Sequence, residues 1–359
     1  MSAKILYVYE NETYLGELRV SAVRGRELFS FAWDRSTDER RRAETIDPHV
    51  MVHPGVYHPL GRDNFGFVED VMPERWGRKL LKRKYPGRTL CPSDFLAGVD
   101  DFTRQGAIRI KLEKDGAFVA NDKKEPAPPW TSLRKLEDIA RRVDAEEVVE
   151  DVTWLRRLIA PGSSLGGARP KANVVDPDGN LWIAKFPSAK DEWDVGAREY
   201  ETYRKALKCG LMVPEAKAQK LSKLGTTFFS RRFDRAGTKR ISYASAMNFC
   251  GASDGGEGRS YLDLIEAVVS YSCAPDEDLK ELYSRMIFGE LVGNTDNHLR
   301  NHGFVRTAKG WRLSPMFDVN PNPDGGAFAL EPISDYRYFR LSESEANRRY
   351  AEIKAVCRD

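Results

Sequence analysis

Cysteine and histidine are both scarce: five of each stand in a chain of 359 residues. The cysteines (Cys91, Cys209, Cys250, Cys273, Cys357) are far apart and none forms a C-x-x-C pair, so neither a zinc knuckle nor a disulfide framework is indicated. Free thiols in a reducing compartment are expected. No stretch approaches the roughly 20 apolar residues that cross a bilayer, and the opening MSAKILYVYENETYLG lacks a basic region followed by an apolar run. The chain is therefore read as cytoplasmic, without a membrane partner. Excess charge of one sign is missing too: a net +3 and a pI near 8.4 are too mild to mark a nucleic-acid binder, which clustered charge would have to do. No internal repeat or low-complexity block is visible.

What is present is an ordinary soluble composition, 41% hydrophobic and 31% charged, with enough apolar material for two or three structural units. Residues 4–9 and 14–20 read as a β-hairpin and 25–31 as a further strand. Residues 71–81 read as a helix with proline near its start, followed by a basic run to Arg88 whose default reading is a solvated face. The polar, proline-rich VANDKKEPAPPW at 119–130 marks a connection between units. After it, Leu133, Leu136, Ile139 and Val143 keep helical spacing. Residues 171–175 and 180–186 flank Asp176-Pro177-Asp178-Gly179, a compact turn, and form the clearest hairpin of the chain. A helix from about 194 to 208, strands near 216–221 and 226–232, and mostly helical spacing beyond Tyr261 follow. The units expected are 1–123, 124–240 and 241–359.

Phosphoryl transfer asks little covalent chemistry of a protein; it needs a backbone cradle, cations and metal-holding carboxylates. Ser163-Ser164-Leu165-Gly166-Gly167-Ala168-Arg169-Pro170-Lys171 is a small-residue loop placed directly before the hairpin, where backbone can approach phosphate oxygens. Ser164, Gly166, Gly167, Ala168 and Lys171 are its candidate contacts. Lys185 lies on an apolar strand and needs an anionic partner, because an unpaired buried ammonium is costly. Glu199 on the next helix suits that role. Asp296 and Asn301 have the D-x-x-x-x-N spacing of a kinase catalytic loop, and Asp318 follows a short strand pair at 303–305 and 311–313. Oxygen ligands of this kind suit Mg²⁺. Any one of these signals arises by chance; their order along the chain carries the reading.

The strings SSLGGARPK, IAKFP, AREYETY, SRRFDR, GNTDNHLRNHGF and LSPMFDVNP resemble the HipA family of bacterial toxin kinases over roughly residues 160–321. GELR, MPERWGRKLL and DDFTRQGAIRI resemble its N-terminal accessory subdomain. The resemblance implies an α+β, bilobal protein-kinase-like fold of HipA type: an N-terminal β-rich accessory subdomain, a β-rich ATP-binding lobe and a helical C-terminal lobe. It implies that Lys185 binds the ATP phosphates, that Asp296 is the catalytic base, and that Asn301 and Asp318 hold Mg²⁺. Backbone of Arg231 and Phe233 would meet the adenine, and Asp234 the ribose. Ser164, with Ser163 as the adjacent candidate, would be autophosphorylated and switch the kinase off. A helix-turn-helix antitoxin, DNA through that complex, and a protein substrate, an aminoacyl-tRNA synthetase or another translation factor, are the implied partners.

Three other readings compete. His298 and His302, four apart with Asp296 nearby, could bind a metal, but H-E-x-x-H is missing. A kinase-shaped partner without turnover is disfavoured because every metal and base position is filled. A small-molecule kinase would share the Asp/Asn/Asp logic and leave Ser163 and Ser164 unmodified.

Overall fold

The computed structural model describes residues 4–37, 47–50, 53–120, 127–162, 167–253 and 258–358. Strands β1 (Lys4–Glu10), β2 (Thr13–Val23), β3 (Arg26–Trp33), β4 (Val56–Tyr57) and β5 (Ile108–Lys111) form an antiparallel sheet in the order β4-β3-β2-β1-β5. Alternate side chains such as Leu6, Val8, Leu18, Val20, Phe29 and Phe31 are buried, which is what period-2 patterning demands of a sheet with one covered face. Three helices accompany it: α1 (Gly66–Val71), α2 (Arg75–Lys84) and α3 (Pro92–Gly98). The helix expected over 71–81 is thus interrupted. Met72 is extended, as a residue before proline prefers, and the helix restarts at Arg75 with Glu74 at its N-cap position.

Helices α4 (Leu133–Asp144) and α5 (Val152–Gly162) lead into a second antiparallel sheet of β6 (Lys171–Val175), β7 (Leu181–Lys185), β8 (Ala216–Lys220) and β9 (Thr226–Arg231), ordered β6-β7-β9-β8. The β6–β7 turn is closed by Asp176, whose Oδ1 accepts from Asp178 and Asn180 N–H at 3.0 and 2.7 Å, while Gly179 takes φ +82°. Helix α6 (Val195–Lys208) starts at Asp194, whose carboxylate accepts Ala197 N–H and also Thr226 N–H and Oγ1, tying the helix to β9. Gly196 allows that approach, since a Cβ there would collide with the Thr226 carbonyl. Leu6 through Phe229 contribute to one continuous apolar core, so the first sheet, α4, α5 and the second sheet pack as neighbours. The units 1–123, 124–240 and 241–359 remain a proposed division of the chain.

A small hairpin, β10 (Arg235–Ala236) with β11 (Lys239–Arg240), leads to β12 (Tyr243–Ser245), which joins β13 (Gly303–Thr307) and β14 (Gly310–Leu313) in a three-stranded sheet. Helices α7 (Ala246–Phe249), α8 (Tyr261–Tyr271), α9 (Pro275–Val292) and α10 (Glu343–Arg358) complete a second apolar core around Leu264, Leu282, Phe288, Phe304 and Phe339. Proline opens α9, acids fill its first turn, and Gly293 at φ +72° ends it, all as helix ends prefer. The two cores correspond to two lobes, β-rich and helical, in the expected α+β arrangement. Among the described residues no helix is long and apolar enough to cross a membrane.

Candidate active site

The lobes meet at a cleft of about 180 Å³ lined by residues of the four-stranded and three-stranded sheets, of α1 and of the α1–α2 connection. Lys185 is at its centre. The β6–β7 register puts Lys171 directly opposite it, and both lysines line the cleft. Lys185 Nζ donates to Glu199 and, at 2.6 Å, to Asp318 Oδ1. Burial alone would lower its pKa, but Asp318 and Glu199 overcome that and hold it well above the usual lysine value. Lys171 Nζ has no ion pair or hydrogen bond among the described residues. Burial, aided by the like charge of Lys185, lowers its pKa against the pull of Asp318. Two lysines and two carboxylates thus meet at the cleft, with the like-charged lysines directly opposite each other and both ion pairs among the described residues made by Lys185.

Asp318 follows β14 after Ser314 N–H and Met316 N–H are fixed on Gly303 O (2.8 Å) and Met212 O (2.7 Å). It adopts φ +56°, a left-handed conformation that costs on the order of 1 kcal/mol outside glycine. Burial would raise its pKa; Lys185 and Lys171 instead hold it well below the carboxylate range. Its Oδ1 also accepts Asn320 Nδ2 at 2.8 Å, while Oδ2 carries no partner among the described residues.

The segment after Gly293 is pinned on several sides. Asn294 N–H meets Gly289 O at 2.9 Å, Thr295 O accepts Ala329 N–H at 2.9 Å, and Asn297 Nδ2 donates to Tyr261 Oη. Asn301 Nδ2 donates to the Asp296 carbonyl at 2.8 Å, tying together the two residues expected to act as base and as metal ligand. Asp296 itself projects into the cleft with 82% of its side chain exposed. Partial desolvation, with Asp318 and Glu74 adding negative charge, pushes its pKa up, although His298 opposes this from 3.9 Å. A carboxylate moved upward in that way is a better proton acceptor.

Asp318 and Asn301 face one cavity and offer oxygen atoms of the type Mg²⁺ takes, so the donor set fits such an ion. The histidine alternative does not fit. His302 is buried with both ring nitrogens unpartnered and a pKa brought down to about 3, and no group of three metal-binding side chains occurs among the described residues.

Other expected residues are placed less simply. Ser163, Ser164 and Gly166 lie outside the described residues. Gly167 lines the cleft, whereas Ala168 lines only the adjoining groove of about 980 Å³ that shares Asp296 with it. Arg231 lines the cleft, and its backbone N–H donates to Glu215 O at 2.8 Å. Phe233 packs its ring toward Tyr243 and Phe317, forming with Ile183 and Met72 an apolar wall able to hold an aromatic base. Asp234 lines the cleft, but its carboxylate accepts Arg232 Nε (2.7 Å), Arg235 Nη1 (2.8 Å) and Gly106 N–H (2.7 Å). These contacts tie Asp234 to the N-terminal unit at the edge of the cleft, and the ribose contact expected of it remains a proposal. Sequence reasoning missed Glu69, Glu74 and Arg300, all of which line the cleft. Arg300 could have been noticed from its place inside the D-x-x-x-x-N motif; the two glutamates had no local signal.

The chain is similar to several known proteins. The Shewanella oneidensis MR-1 HipA chain, solved with HipB and operator DNA, superposes with a TM-score of 0.67 at 17% identity, covering 98% of this chain and 96% of that one. The likeness establishes the bilobal kinase-like fold. The Helicobacter pylori proinflammatory kinase CtkA aligns at a TM-score of 0.40 and 16% identity over 52% of this chain and 78% of its own. A candidate kinase of Haemophilus influenzae is 26% identical over 188 residues, 45% of this chain; the chain spans about half (54%) of that relative's length. The model of the HipA-like C-terminal domain matches residues 163–358, more than half of the sequence, and the chain belongs to the HipA-like family.

Proposed function

We propose that the protein is an ATP-dependent serine/threonine protein kinase of the HipA toxin type. The observation that carries this reading is Lys185 held between Glu199 and Asp318, with Lys171, unpaired among the described residues, across from it. Such a cluster suits the ATP phosphates: both lysines neutralise oxyanion charge, and the apolar wall at Phe233 and Phe317 receives the base. Asp318 and Asn301 would hold Mg²⁺, which neutralises charge on the phosphates. Asp296 orients the acceptor hydroxyl and receives its proton as the acceptor oxygen bonds to the γ-phosphorus and the bond to the ADP leaving oxygen breaks.

The groove of about 980 Å³ beside Asp296 favours a protein acceptor over a small metabolite. Autophosphorylation at Ser164, or at Ser163, rests on the family resemblance of the glycine loop; phosphate there would place like charge in the nucleotide site. The Shewanella assembly with HipB and operator DNA supports a helix-turn-helix antitoxin as partner, with DNA held through that complex. An aminoacyl-tRNA synthetase is the proposed class of cellular target, and the cytoplasm the proposed location.

Phosphopeptide mapping after incubation with Mg²⁺ and ATP, with and without host lysate, tests the reading. Phosphate on Ser163 or Ser164 and on a lysate protein is expected. Transfer only to a metabolite would replace it with a small-molecule kinase, and no transfer at all with a non-catalytic partner.

A further inference from the structure

The N-terminal unit lies outside the segment matched by the family model, yet it reaches the reaction centre. Glu74 stands between α1 and α2. Its Oε2 accepts the Gly167 N–H at 2.5 Å, and its Oε1 lies 3.6 Å from Arg300 Nη1. The same region holds Gly167 a second way, since Trp76 N–H donates to the Gly167 carbonyl at 3.0 Å. The Trp76 indole donates to Lys171 O at 2.8 Å, where the phosphate-facing strand begins. Arg300 Nη2 stands 3.6 Å from Glu69 Oε2, and Glu69 Oε1 in turn accepts Asn64 Nδ2 at 2.9 Å. Arg300 is the residue immediately before Asn301 and four after Asp296. The Glu74 and Arg300 side chains are only 30% and 13% exposed, so solvent screens their attraction less than that of a surface pair.

We propose that Glu74 is a positioning residue that couples the glycine loop to the catalytic loop through Arg300. One carboxylate then sets the position of the phosphate cradle relative to the base, and the accessory unit becomes part of the catalytic apparatus. This rests on the phosphotransfer reading above. The bland alternative is that Glu74 only glues two units together, in which case its loss would lower stability without separating binding from turnover.

Glu74→Gln keeps an acceptor for Gly167 and loses the charge that Arg300 faces; Glu74→Ala loses both. Glu74→Gln is expected to bind MgATP as the unsubstituted protein does while transferring phosphate about tenfold more slowly, because small misplacements of reacting groups are costly. Glu74→Ala should weaken binding as well. Arg300→Gln should also be about tenfold slow, and the double variant Glu74→Gln/Arg300→Gln no more than about twofold slower than either, as coupled residues behave. Multiplying losses, or equal losses of binding and turnover in Glu74→Gln, would overturn the proposal. Amide hydrogen exchange in the full chain gives a readout independent of turnover: Glu74→Ala should quicken exchange in both 167–171 and 296–303. Faster exchange in only one of them, or in neither, contradicts the coupling. Should the unsubstituted protein transfer no phosphate, the kinase reading fails while exchange still decides this inference.

Discussion

Lys171 and Lys185 face each other across adjacent antiparallel strands, and of the two only Lys185 makes an ion pair among the described residues. The asymmetry separates their expected substitution effects. Lys171→Met removes a buried ammonium that has no ion pair among the described residues and should leave the nucleotide-free protein as stable as before or more so, by about 1 kcal/mol. The same change should weaken MgATP binding by about 10- to 100-fold, the worth of a charge-assisted contact. Lys185→Met should instead destabilise the free protein by about 3–5 kcal/mol, since Glu199 and Asp318 lose their shared cation. Urea unfolding and calorimetric titration measure both; equal destabilisation by the two variants would refute the distinction.

At the edge of the cleft, Asp234 joins the N-terminal unit to the lobe junction. Arg232 Nη1 reaches Thr103 O and Asn173 Oδ1, both at 2.9 Å, and Arg235 Nη2 reaches Phe102 O at 3.1 Å and Arg104 O at 2.6 Å. Burial would raise the Asp234 pKa, but Arg232 and Arg235 hold it well below the carboxylate range. A lowered carboxyl stabilises above its unfolded pKa of about 4, and that contribution fades as pH falls further. Asp234→Asn should therefore cost about 3–5 kcal/mol at pH 7, with a smaller difference from the unsubstituted protein below pH 4. A cost independent of pH, read from urea midpoints, would contradict the ion-pair account.

The hairpin at 171–186 was legible because Asp176, Pro177 and Gly179 act locally, and the helix over 195–208 because Asp194, Lys205, Lys208 and Gly210 mark its ends within the chain itself. Asp296, Asn301 and Asp318 were legible as a spaced motif that the fold then brings to one cavity. Strand β12 was missed: it has three residues, and its partner β13 lies some sixty residues later, so no local pattern announces it. Glu74 was missed for the same reason, its contact with Gly167 spanning 93 residues. The helix start at 71–81 was misplaced because Pro73 was read as an initiator although Met72 before it is held extended.

His302, which follows Asn301 and is buried, gives a third test. Burial, with Arg285 and His298 adding positive charge, lowers its pKa to about 3 from an unfolded value of 6.5. The unfolded chain then binds the extra proton between those values, so this residue's contribution is complete above pH 6.5 and lost on acidification. His302→Phe should remove about 2 kcal/mol of the stability lost between pH 7 and pH 5. Asp70 and Asp100, both raised to about 6 chiefly by burial, act in the opposite direction but are common to both proteins and cancel in the difference. Parallel pH profiles of the two proteins would exclude the buried neutral imidazole.

Single-turnover transfer from γ-labelled ATP in the presence of Mg²⁺, compared between the unsubstituted protein and Asp296→Asn, tests the proposed chemistry most directly. The expected result is labelled serine or threonine formed by the unsubstituted protein and lost by about 10²- to 10⁴-fold in Asp296→Asn, with nucleotide affinity retained. Equal labelling by both proteins, or none by the unsubstituted one, would contradict a phosphotransfer centre built on Asp296.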